Sequence, residues 1–124
     1  MVMATALVGT GCSLNFGPSI EELAKKATAL LRHPELAKQI GQQYLEQLTV
    51  LSKPNQERLV SEILAGTGID PNNASYFSLL DLEDELTAKV RMDFTLERIV
   101  KVNGWVLSAT EAQLCALLAI VAKV

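Results

Sequence analysis

The dipeptide Asn103-Gly104, set between the short β-prone runs Ile99–Val102 and Trp105–Ser108, constrains this chain more than any other feature of it. Asn followed by Gly supplies the two positive-φ residues of a type I′ turn, so the flanking runs are predicted to pair as an antiparallel hairpin. A two-residue turn leaves no freedom of register. Val102 must then oppose Trp105 and Val100 must oppose Leu107, and because side chains alternate along a strand these four share one wholly apolar face. The other face, Ile99, Lys101, Val106 and Ser108, is mixed. Immediately afterwards Ser108-Ala109-Thr110-Glu111 has the spacing of a capping box, which launches a last helix through Ala112, Leu114, Cys115, Leu117, Leu118, Ile120 and Val121. Few of its positions are polar. Such a helix is either the buried centre of a fold or a face offered to a partner.

Upstream the chain reads as a series of punctuated helices. Ser19 and Glu22 make a first capping box, after which Ile20, Leu23, Ala24, Ala27, Leu30 and Leu31 repeat at helical spacing toward an end near His33. Pro34 pushes His33 toward extended geometry and suits the first turn of a second helix, so the two helices should meet at a corner. That second helix carries Leu36, Ile40, Tyr44 and Leu48 on one stripe, with Ala37 and Gly41 beside it as small residues that let a neighbour come close. Pro54 is read as opening a third helix through Leu59, Val60, Ile63 and Leu64, closed by the left-handed stop at Gly66. From Ser75 a fourth helix is expected to turn Tyr76, Leu79, Leu80, Leu86, Val90 and Phe94 inward and an acidic run, Asp81, Glu83, Asp84 and Glu85, outward. The Asn73-Ala74-Ser75 triplet matches a glycosylation sequon, a pattern common by chance. The fold class that follows is mainly α, a bundle of about five helices with one β-hairpin before the last helix.

Composition bounds what such a fold can do. The chain has 124 residues, 49% of them hydrophobic, and a formal charge of −3, enough apolar mass for one core and no basic excess for non-specific binding to phosphate. Nucleic acid is excluded as a main partner. One His and two Cys give no zinc spacing, and neither a nucleophile elbow nor a phosphate loop is present; no catalytic, cofactor-binding or metal residues are assigned. Cys115 has aliphatic neighbours and reads as a core residue, and His33 as a polar cap at a helix end.

Residues 1–17 read as an N-terminal arm or signal remnant and residues 18–124 as a single helical domain. The stretch from Met1 to Cys12 is small and apolar and stops at a Cys, as a bacterial lipoprotein signal does, but it carries no Lys or Arg. Cys12 is therefore open between a lipid anchor, a half-cystine with Cys115, and an inert thiol. The protein is placed in the periplasm or on a membrane anchor, or in the cytoplasm if that stretch is no signal. No run reaches the roughly 18–20 apolar residues of a membrane span.

Two further features bear on partners. Trp105, the only Trp, either clamps the ribbon onto the last helix or stands out as an anchor for another protein, and the clamp is the favoured reading. Arg91 and Asp93 either pair locally at the entry to the ribbon or form a polar recognition pair at its rim.

The residues Asp93-Phe94, Ile99 to Val102, Gly104 to Ser108, Thr110-Glu111-Ala112 and Leu114 to Leu117 resemble the C-terminal segment of small, poorly characterised exported bacterial proteins that carry twin-arginine or similar signals. The resemblance spans about a quarter of the chain, and Ala109 departs from it where that family often has Arg. It implies a non-catalytic accessory, escort or small subunit of a larger exported protein, for instance an oxidoreductase. The alternative is a free-standing helical binding module for a small apolar ligand.

Overall fold

The computed structural model describes residues 23–49, 52–69 and 78–121. Among them are five helices and one two-stranded antiparallel hairpin placed before the last helix, as the periodicity predicts. The helices are α1 (residues 23–28), α2 (Pro34–Gln47), α3 (Gln56–Leu64), α4 (Leu79–Thr95) and α5 (Ala109–Val121); the strands are β1 (Ile99–Val102) and β2 (Trp105–Ser108). The Ser19–Glu22 capping box, the sequon and Cys12 lie outside the described residues.

Helix α5 is the axis of the molecule. Its Leu114, Ala116 and Leu117 pack with Leu23, Ala24 and Ala27 of α1, with Leu59, Val60, Ile63 and Leu64 of α3, and with Leu82 and Leu86 of α4. Cys115 looks the other way. It joins Ala37 and Ile40 of α2 and Val102 of β1 in a second, smaller cluster. Each side chain fully buried here contributes about 1.5–3 kcal/mol if it is as large as Leu or Ile, so a helix with few polar positions is satisfied by having a core on both sides. Of the two readings for this helix, the structure supports the buried centre.

The small residues of α2 turn out to be its contact face. Ala37, Ile40 and Gly41 are buried, whereas Leu36 is exposed. A Cβ added at Gly41 would overlap the backbone carbonyl of Cys115, so α2 and α5 touch main chain to main chain at this point. Pro34 sits in the first turn of α2, as expected. His33, however, occupies the N-cap position without a side-chain hydrogen bond to the helix, which corrects its reading as a polar cap. Helix α1 gives way to a turn after residue 28, earlier than its apolar spacing suggests, with the Thr28 hydroxyl bonded back to the Ala24 carbonyl at 2.8 Å.

Two starts also shift. Asn55, not Pro54, begins α3, its side-chain oxygen accepting the Arg58 N–H at 2.7 Å. Helix α4 begins after Ser78, which forms a reciprocal capping box with Asp81. Its inward stripe is Leu82, Leu86, Lys89 and Asp93, spaced four, three and four residues apart, and it changes from apolar to charged halfway along. Leu79, Leu80 and Phe94 are exposed, contrary to their expected inward placement.

The hairpin has the predicted register, Val102 opposite Trp105 and Val100 opposite Leu107. Asn103 and Gly104 both have positive φ, +47° and +87°, the signature of the type I′ turn. Burial along its apolar face is uneven. Val102 is wholly enclosed, Val100 and Leu107 are half-buried, and Trp105 is 47% exposed. The expected clamp is therefore overturned. Helix α2 packs against β1, while β2 meets α5 and α4, so the tip position on β2 has little to cover it.

Candidate functional site

The residues singled out in sequence do not gather into one site. Trp105 stands at the hairpin tip, and Cys115 is buried in the second cluster, where burial, followed by the nearby Glu111 charge, pushes its thiol up to about 11. At that value it is a protonated packing group at neutral pH. Arg91 is exposed and does not pair with Asp93, because residues two apart on a helix point to nearly opposite sides, and Asp93 is the one that points inward, where it pairs with Arg98. Among the described residues no group of three or more His, Cys, Asp or Glu side chains is arranged to hold a metal ion. No helix among them is long and apolar enough to cross a membrane.

Asp93 is the centre of a polar knot at the base of the hairpin. Only 2% exposed, it accepts the Arg98 Nε–H on Oδ1 at 3.1 Å, and the Thr110 backbone N–H and hydroxyl on Oδ2 at 2.9 and 2.6 Å. Its backbone carbonyl accepts the Arg98 N–H at 2.7 Å. That last bond, with the Glu97 N–H donating to the Phe94 carbonyl, closes α4 in a Schellman motif whose left-handed position is Glu97, at φ +59°, in place of the usual glycine. The Arg98 carbonyl then accepts the Ala109 N–H, and Ser108 and Glu111 complete the second capping box at 2.9 and 3.0 Å. One residue thus ties the end of α4 to the start of α5 across the whole hairpin. A buried carboxylate satisfied in this way avoids the penalty of an unpaired charge.

Beside the knot runs an open groove of about 510 Å³ between the end of α3, the middle of α4 and the start of α5. Lys89 reaches across it to cap α3, donating to the carbonyls of Glu62 and Ile63 at 2.5 and 2.6 Å. A cation at the carbonyl end of a helix meets both its unpaired acceptors and its dipole. Burial lowers the Lys89 pKa and the Arg98 charge lowers it further, while Asp93 and Glu62 oppose them. Glu62 is held by Arg58 on one oxygen and by Gln113 on the other. Lys89, Thr110 and Gln113 have their partners 17 or more residues away along the chain and so carry no local signal for these bonds, and Arg98 meets Asp93, five residues away, only because the chain reverses at the left-handed Glu97; Lys89 and Asp93 falling on the Leu82–Leu86 stripe is the one pointer to a polar interior.

The second feature is apolar and exposed. Of the nine large hydrophobic side chains exposed among the described residues, six, Met92, Phe94, Leu96, Ile99, Trp105 and Val106, lie on the last turns of α4 and on the hairpin. Single exposed hydrophobics are ordinary, but their concentration in one short stretch is not. Compared with protein-family models, curated proteins and solved structures, the chain finds no match among any of the three.

Proposed function

We propose that this chain is a non-catalytic accessory protein that docks onto a larger protein through the exposed end of its hairpin. The observation that carries this reading is the 47% exposure of Trp105 on a turn whose register is fixed. An indole on a rigid tip offers a large contact area at little entropic cost, which is how interface anchors work. The exported oxidoreductase as the class of partner comes from the resemblance of the C-terminal segment, and a place outside the cytoplasm from the stretch ending at Cys12. The reading as a module for a small apolar ligand has less support, because the apolar pocket at the centre of the main cluster holds only about 10 Å³, scarcely one water.

A photoreactive phenylalanine analogue in place of Trp105, expressed in the native host, tests the reading directly. The expected result is a cross-link to one larger protein, and loss of that protein from pull-downs with folded Trp105→Ala. A Trp105 shielded from iodide quenching in the free monomer, or cross-links to no protein, would overturn it.

A further inference from the structure

We propose that the groove beside the polar knot is a carboxylate-binding site, in which Arg98 holds the ligand and Asp93 is the positioning residue. The argument stands on the groove and does not depend on the role given to Trp105. It begins with an accounting of donors and acceptors. Asp93 has both oxygens engaged, and so has Glu62, so two of the acids lining the groove are already satisfied within the protein. The donors are not used up. Arg98 engages only its Nε, leaving both Nη groups without a protein acceptor among the described residues, and Lys89 uses two of the three N–H bonds of its ammonium.

Geometry makes the surplus usable. The Arg98 guanidinium is pinned at Nε by a buried carboxylate and its backbone is pinned at both N–H and C=O, yet its side chain is 53% exposed on the groove. The remaining Nη edge is a planar fork that matches a carboxylate in a bidentate pair, and the Nε bond to Asp93 orients it before any ligand arrives. Lys89 lies near enough for the two charges to act on each other, so the cationic side of the groove is shared. Glu85, the remaining acid, is eight residues before Asp93 on the same helix, about 12 Å along its axis, so it neighbours Lys89 and lies away from the Asp93–Arg98 end of the groove. Between them Ala88 and Met92 give an apolar wall, which suits an organic acid with a short hydrocarbon body or the carboxylate of a polypeptide.

The experiment is a titration of the isotope-labelled full chain, followed by NMR, with butyrate, with N-acetyl-trialanine bearing a free C-terminal carboxylate, and with inorganic phosphate. Saturable shifts at millimolar concentration are expected for the Arg98 Nε–H, the Thr110 amide and the Gln113 side-chain amide. Butyrate binding as well as the peptide assigns a free organic acid, and the peptide binding about tenfold tighter assigns a polypeptide carboxylate; both outcomes uphold the site. Arg98→Lys, which keeps the charge and loses the fork, should weaken binding roughly tenfold or more, while Lys101→Gln, outside the groove, leaves it unchanged. The wild-type titration decides even if the Arg98 variant fails to fold. Absence of saturable shifts with both carboxylates, equal weakening by the two variants, or phosphate binding as tightly as butyrate would overturn the assignment.

Discussion

The two ends of the hairpin invert the usual rule about what is buried. At the base, Ser108, Thr110 and Asp93 are polar and enclosed; at the tip, Trp105 is the largest side chain in the ribbon and stands half in solvent. At the base the Asp93 carboxylate, the Thr110 N–H and hydroxyl and the Ser108 hydroxyl oxygen all have partners at 2.6 to 3.1 Å, so its polarity costs little once formed and a great deal if one member is removed. The tip is wet because, among the described residues, no element covers Trp105. Burial in this region follows from which partners the chain topology supplies, and hydropathy is secondary.

That contrast predicts an order of losses. Asp93→Ala orphans two buried donors of Thr110 and frees Arg98, and is expected to cost about 2–4 kcal/mol in urea unfolding. Trp105→Ala removes far more carbon yet should cost only about 1–2 kcal/mol, well under the roughly 3–5 of a core aromatic. Finding that order reversed would break the comparison. Ser108→Ala removes the acceptor of the Glu111 N–H and should cost about 1 kcal/mol, and a difference scan against Asp93→Ala shows whether cap and knot are one cooperative unit. Smallest is a gain. Glu97→Gly relieves a left-handed non-glycine residue at the end of α4 and should raise stability by about 0.5–1 kcal/mol, with a matching rise in melting temperature.

What could be read in the sequence was what depends on near neighbours. Asn103-Gly104, the Ser108–Glu111 box, Pro34 and Gly66 each act within a few residues, and each is where the pattern places it. Hydrophobic periodicity cannot follow the inward face of α4, because the stripe that Leu82 and Leu86 begin is continued by Lys89 and Asp93. Their burial depends on Glu62 and Thr110, which lie 27 and 17 residues away. Trp105 shows a different limit: alternation assigns a face to each strand residue, but not how much of that face another element reaches.

Gly41 and Gly104 exclude side chains for opposite reasons. At Gly41 the obstacle is bulk, since the Cβ of an L residue runs into the Cys115 carbonyl; at Gly104 nothing lies within 4 Å of such a Cβ, and only the sign of φ forbids it. Position 104 is therefore selective for handedness and indifferent to size. A D-alanine introduced there by chemical ligation adopts its own preferred conformation, and should stabilise the hairpin by about 0.4–1 kcal/mol by narrowing the unfolded chain, where L-alanine costs about 1. At position 41 both mirror forms are expected to fail for different reasons: the L side chain collides with the Cys115 main chain, and a D residue is held in a right-handed helix that its chirality disfavours.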